Sequence, residues 1–232
     1  MDTDLTLRAE EFASKDPFPM KGFGPVEWWV GNAFMTAQAL RSLLGMEIIG
    51  YSGPETGVRD RSSYLMRSDQ IRFIISGAQG PDHEIADHVQ LHGPGVKDVG
   101  FLVPDAVAAF ERAIDRGAEP HMDPVVFEND RGAMVQATIK AYGETVHSLI
   151  EIEGDDPRFE VRTDTIARST GLHAIDHVVA NVELGKMNEW VDFYDRIFSF
   201  TMLKHFDDDA ISTEYTALMS KVMSGGNGII KL

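Results

Sequence analysis

With eight histidines, 37 acidic side chains and no cysteine, the sequence can hold a metal only through nitrogen and oxygen. Disulfides, thiolate metal sites and cysteine nucleophiles are excluded. Two groups of residues have the types and spacing for chemistry. In "PDHEIADHVQLHG", His83, His88 and His92 stand with Glu84 and Asp87, and on a helix His88 and His92 share one face. The run lacks the HExxH order of a zinc hydrolase and reads as a surface loop followed by a helix. In "AIDHVVANVELGKMNEWVDFYDRIF", a single imidazole, His177, falls inside what reads as a buried strand. Such a residue is a hydrogen-bonded core histidine or a metal ligand, and the spacing alone leaves both open. As a ligand it needs a neutral nitrogen toward the metal and a partner for its other N–H. Strand alternation puts the neighbouring Asp176 on the opposite face, so it is not the expected holder. His121, His147, His173 and His205 read as structural. The glycines of "GFGPVEWW", "HGPGV" and "SGGNG" fit turns rather than phosphate loops, and no "GxSxG" elbow supports nucleophilic hydrolysis.

The elements that must position these groups follow a repeat. In the first unit, Trp28, Trp29 and Val30 make a strand, Asn32 caps a helix that Gly45 ends, and strands follow at Ser62–Arg67 and Ile71–Ser76. The second opens with "KDVGFLVPDAVAAFERAIDRGAEPHM", Asp105 near the helix start and Gly117 past its end, and continues into strands at Met134–Lys140 and Val146–Ile152. In the third, Met187, Trp190, Val191, Tyr194, Ile197 and Phe198 form one helical face, with strands at Phe200–Phe206, Ile211–Ser220 and Gly228–Leu232. The fold class is therefore α+β, built of repeated β-α-β-β-β modules. Two modules cover each other's apolar faces and the third has no partner in this chain. The division is an arm at 1–19, a two-module domain at 20–153, a charged linker at 154–172 and the first half of a second domain at 173–232.

Composition narrows the partners. A formal charge of −16 argues against nucleic acid, which needs clustered Lys and Arg. The acidic N-terminus has no apolar core, and no run approaches the roughly 18 apolar residues of a membrane span. The expectation is a cytoplasmic, soluble protein with 43% apolar residues and an ordinary core.

The runs "DPFPMKGFGPVEWWVGNA", "IGYSGPETGVRDRSSY", "ADHVQLHGPGVKD", "AYGETVHSLIE", "AIDHVVANVELGKMNEWVDFYDRI" and "STEYTALMSKV" resemble the vicinal oxygen chelate (glyoxalase-like) superfamily, and within it the bacterial 4-hydroxyphenylpyruvate dioxygenases. The resemblance implies four modules, of which three are present. It implies Fe(II) held by two histidines and a carboxylate in the C-terminal domain, with open positions for a 2-oxo acid and O2. It implies conversion of 4-hydroxyphenylpyruvate to homogentisate and CO2 in tyrosine and phenylalanine catabolism, by a cytoplasmic homo-oligomer. His177 matches the first iron ligand. Ser220 and Val222 match a substrate-facing strand, Ser220 as a polar contact and Val222 as an apolar wall. The second histidine and the carboxylate belong to a fourth module beyond "GIIKL", so this chain alone reads as incomplete and inactive. Trp28 and Glu27 align with His177 and Asp176, which puts an indole in the ligand slot of the first domain and makes that domain metal-free. Asp98 falls near its second slot and reads as a turn or capping residue. Two alternatives remain open, a 4-hydroxymandelate synthase and a non-catalytic chelate-fold protein that binds a small molecule in the cleft of modules one and two.

Overall fold

The computed structural model describes residues 18–163, 168–206, 220–225 and 228–232. The first module runs β1 (Gly22–Trp29), α1 (Ala33–Leu44), β2 (Glu47–Ser52), β3 (Arg61–Ser68) and β4 (Ile71–Ala78). Its helix begins where the Asn32 side chain accepts from the Met35 amide at 2.9 Å, and it ends at Gly45, whose φ of 66° is left-handed. A second helix, α2 (Glu84–His92), leads into the second module: β5 (Gly95–Leu102), α3 (Ala106–Asp115), β6 (Pro120–Asn129), β7 (Gly132–Lys140) and β8 (Val146–Gly154). Asp105 caps α3 through the Ala108 amide at 2.9 Å. Both modules thus have the expected β-α-β-β-β order.

They share one sheet of nine strands in the order β6-β7-β8-β5-β1-β4-β3-β2-β9, where β9 is Glu160–Val161. In each module the first strand pairs parallel with the last, β1 with β4 and β5 with β8. The two first strands pair antiparallel at the centre, so the modules are related by an approximate two-fold and Glu27 stands opposite Asp98. A side chain at Gly100 would put its Cβ 2.8 Å from the Pro25 carbonyl oxygen, and one at Gly24 would meet the Gly100 backbone at 3.1 Å. Glycine at both positions lets the central strands approach.

Each helix covers its own module. Ala33 and Ala37 of α1 pack on Met46, Met66 and Ile75, while Ala109, Phe110 and Ala113 of α3 pack on Val99, Phe101, Ile139 and Leu149. A fully buried side chain such as Phe101 or Leu149 contributes roughly 1.5–3 kcal/mol.

Four expectations need correction. The linker begins later than 154, because Gly154 completes β8, Tyr51 pairs with Glu160, and Phe159 is buried against Leu65 and Ile74. One aromatic anchor outweighs the charges around it. The arm at 1–19 ends docked, since Phe18 is buried with its ring edge-on to Phe198, centroids 5.1 Å apart. The third module is not without a partner: α4 (Met187–Phe198) lays Tyr194, Ile197 and Phe198 on the second module's core, joined by Phe200, Met223 and Ile230. Arg116 reinforces this contact by donating to the Ile197 carbonyl at 3.0 Å and to Ser199 Oγ at 2.8 Å. Finally, the segment around His177 forms no strand.

The rest of module three is β10 (Thr201–Phe206) paired antiparallel with β11 (Ser220–Ser224). The predicted strand Ile211–Ser220 lies outside the described residues except for Ser220. Among the described residues the predicted strand at Gly228–Leu232 is reduced to a bridge between Ser224 and Lys231, two backbone bonds joining Met223 and Leu232 and one from the Gly225 amide to the Ile230 carbonyl.

Candidate functional site

His177 stands exposed in the irregular stretch before α4, and strand alternation therefore does not separate it from its neighbour. Its Nδ1 lies 2.9 Å from Oδ2 of Asp176, whose Oδ1 accepts from Lys231 Nζ at 3.0 Å. The hydrogen bond to His177, then the bond and charge of Lys231, hold the Asp176 carboxyl below its usual range. An ionised Asp176 fixes the proton on Nδ1 and leaves Nε2 as the ring nitrogen that can coordinate. Asp176 thus does bond the imidazole, which strand alternation would not allow. A backbone bond from the Val178 amide to the Lys231 carbonyl, 3.2 Å, sets this segment beside the chain that bridges to β11. Ser220 and Val222 lie half-buried on β11, with Lys231 between their strand and the histidine segment. Among the described residues His177 belongs to no group of three ligating side chains. No chemistry at a metal is assigned to the described residues around His177.

The sheet face opposite α1 and α3 carries a second arrangement, which repeats across the two-fold. In module one, Glu27 Oε1 accepts from Ser76 Oγ at 2.7 Å and from Trp29 Nε1 at 3.2 Å, and Ser63 Oγ lies 2.7 Å from Ser76 Oγ. In module two, Asp98 accepts from the Ser148 amide at 3.0 Å and from Ser148 Oγ at 2.5 Å, and Ser148 Oγ in turn accepts from Gln136 Nε2 at 2.8 Å. Arg158 donates to Gln136 Oε1 at 2.7 Å and grips Asp156 through Nε and Nη2 at 3.0 and 2.7 Å. Burial, with the facing Glu27 charge adding to it, pushes the Asp98 carboxyl up to about 7 despite the Ser148 bonds. Asp98 is therefore a buried mid-strand acid rather than a turn or cap. Trp28 is not in the corresponding slot either: it packs on Phe73 and the α1 core, and the inward residues of β1 are Glu27 and Trp29. The bulge between Glu27 and Trp28 shifts the register there. Beside this network the sheet encloses a cavity of about 930 Å³, walled by Leu65, Met134, Ile150 and Phe159 with Arg67 and Arg72 at its border.

A third group is the one the histidine-rich run hinted at. His88 and His92 of α2 meet Glu144 from the turn between β7 and β8. The sequence gives the helical spacing of the two imidazoles, but nothing in it brings Glu144 to them. His147, read as structural, is buried with Nδ1 3.0 Å from the Val99 carbonyl and Nε2 2.8 Å from the Tyr194 hydroxyl. Among the described residues no helix is long and apolar enough to cross a membrane.

The sequence model described as "Hydroxyphenylpyruvate dioxygenase, HPPD, N-terminal" matches residues 14–161. The chain is 34% identical over 260 residues to the 4-hydroxyphenylpyruvate dioxygenase of Pyricularia oryzae, covering 100% of this chain and 62% of that protein. For the Danio rerio dioxygenase the identity is 33% over 236 residues, 95% of this chain and 59% of the relative. The chain thus spans about three fifths of the length of these curated relatives. In fold it resembles a mutant of 4-hydroxymandelate synthase from Streptomyces coelicolor, with a TM-score of 0.80 at 24% identity over 92% of this chain and 62% of that one. A xylose isomerase-like TIM barrel/4-hydroxyphenylpyruvate dioxygenase fusion protein matches with a TM-score of 0.68 at 19% identity, over 100% of this chain and 36% of that one. The two-module sheet of residues 22–161, which coincides with the matched segment, and the relatedness along the whole chain establish that this chain belongs to the hydroxyphenylpyruvate dioxygenase family.

Proposed function

We propose that the chain carries the N-terminal domain and the beginning of the iron-binding domain of an Fe(II)-dependent dioxygenase that converts 4-hydroxyphenylpyruvate and O2 to homogentisate and CO2. The observation that carries the reading is 34% identity to a 4-hydroxyphenylpyruvate dioxygenase along the full chain. Within it, His177 is one iron ligand, supported by its Asp176-held Nδ1, and Ser220 and Val222 face the substrate. The second domain starts near residue 173, and the place of the reaction is cytoplasmic tyrosine and phenylalanine breakdown in a homo-oligomer. Iron, when held by all three ligands, would bind the 2-oxo acid and O2; the part of this chain is to offer one imidazole of fixed tautomer.

Two assays test this. The chain alone, given Fe(II), O2 and 4-hydroxyphenylpyruvate, is expected to retain iron weakly and consume no oxygen. Stoichiometric iron with turnover overturns the one-ligand reading. Joined to the portion of the Pyricularia oryzae relative that it does not match, the chain is expected to consume O2 with this substrate, and His177→Ala is expected to abolish uptake and to lower iron retention. A folded, iron-loaded chimera without uptake overturns the activity, and uptake that survives His177→Ala removes that residue from the ligand set. Product analysis separates homogentisate from 4-hydroxymandelate.

A further inference from the structure

We infer that His88, His92 and Glu144 form a second metal site, which takes a divalent transition ion of the Zn2+ class and fastens α2 to the turn between β7 and β8. The three side chains offer one ligand atom each, all within 4.8 Å of one another. His88 Nδ1 lies 3.3 Å and His92 Nε2 3.2 Å from the same oxygen, Oε2 of Glu144. Ligands about 2.0–2.1 Å from a tetrahedral ion stand about 3.3 Å apart. The two nitrogens therefore already keep the spacing to the carboxylate that such an ion requires.

Each ligand is held from behind. His88 has only 10% of its side chain exposed and stands edge-on to the buried Trp29, ring centroids 5.3 Å apart. His92 follows one helical turn later on the same face, the i, i+4 spacing at which two imidazoles can share an ion. Glu144 sits in a tight turn in which the Thr145 amide donates to the Tyr142 carbonyl at 3.0 Å and Gly143 takes a φ of 57°. Its own carbonyl accepts from Lys97 Nζ at 2.5 Å. Lys97 is the cation beside the site, but its ammonium is engaged by that carbonyl and by the Trp29 ring, 4.8 Å from the centroid.

The donor set decides the ion. Two imidazoles and one carboxylate suit Zn2+, Co2+, Ni2+ or Cu2+, whereas Ca2+ and Mg2+ prefer all-oxygen shells. Glu144 and His92 are about half exposed, so water fills the fourth position and the ion can exchange with solvent. The bound ion would join the helix that connects the modules to a hairpin of the second module, a stapling role that needs no substrate. The site is separate from His177 and does not rest on the proposed dioxygenase activity.

The test is calorimetric titration of the untagged chain with Zn2+, paired with Trp fluorescence during titration with Co2+. The expected result is one tight Zn2+ per chain, a rise in melting temperature with added Zn2+, and partial quenching by Co2+ from the contact of His88 with Trp29. His92→Gln and Glu144→Gln, both at exposed positions, are each expected to weaken binding by about tenfold or more, which is about 1.4 kcal/mol, and to abolish the quenching. His177→Gln is expected to leave both unchanged. No Zn2+ binding by the chain, or binding that persists undiminished in His92→Gln and Glu144→Gln, overturns the site.

Discussion

The Tyr194 hydroxyl donates to Nε2 of His147 at 2.8 Å, while Nδ1–H of the same ring donates to the Val99 carbonyl at 3.0 Å. A carbonyl can only accept, so the proton must be on Nδ1, and Nε2 is left to receive the phenol. This pair joins α4 of the third module to the first and last strands of the second. Removing the phenol leaves a buried acceptor unsatisfied, which costs about 1–3 kcal/mol. Tyr194→Phe is expected to lower stability by that amount and to speed amide exchange in α4 before the nine-stranded sheet is affected. Hydrogen exchange followed by mass spectrometry checks the order.

Acid should loosen the same contact. Burial depresses the His147 imidazole to about 4 from an ordinary 6.5. Between those values the unfolded chain takes up a proton that the folded chain refuses, so this residue's contribution is full above pH 6.5 and is lost as the pH falls toward 4. The loss is on the order of 3 kcal/mol. Urea denaturation of the wild type and of His147→Gln at pH 7, 5.5 and 4.5 isolates it: the gap between the two proteins should narrow as the solution is acidified.

Asp98 should act with the opposite sign. Its folded-state carboxyl is raised to about 7 from 3.8, so the fold holds the proton more tightly than the unfolded chain does. Stability from this group is present below about pH 4 and falls as the pH climbs to about 7, by a few kcal/mol. Asp98→Asn removes the titration while keeping the size of the side chain. Relative to wild type it is expected to be more stable at pH 8 than at pH 5, measured by denaturant midpoints at both.

The crossing of β1 and β5 leaves no room for a methyl group at Gly100, since a Cβ there would press on the Pro25 carbonyl oxygen at 2.8 Å and on Ile150 Cδ1 at 3.1 Å. Backbone cannot yield as a flexible side chain does, so Gly100→Ala is expected to cost about 1–3 kcal/mol. Gly80→Ala, with nothing within 4 Å, is the control, and its thermal midpoint is expected to stay within error of wild type.

What could be read from the sequence follows from how local each signal is. The caps at Asn32 and Asp105, the left-handed Gly45 and the helical face of α4 are set by residues a few positions apart, and the structure reproduces them. The pairing of α4 with the second module depends on Tyr194 meeting His147, 47 residues away, and no periodicity encodes that. His177 was read as a strand residue because its apolar neighbours alternate like one. Among the described residues the backbone of the stretch 174–180 makes one bond outside the segment, from the Val178 amide to the Lys231 carbonyl, too little to build a ladder. Asp98 and Glu27 were invisible as a pair because only the antiparallel register of β1 and β5 sets them face to face. The same holds for Glu144, brought to His88 by the sheet order.

The ninth strand, Glu160–Val161, has a consequence for how the protein is made. It is the last piece of the sheet in the sequence, yet it covers β2, the edge contributed by the first module. A ribosome that has synthesised both modules but not yet reached Phe159 has produced a sheet with an open border at β2, the kind of border that recruits foreign strands. The growing chain therefore seals its oldest edge with some of its newest residues. Synthesis that stalls between residues 154 and 161 should yield aggregates rather than a folded domain.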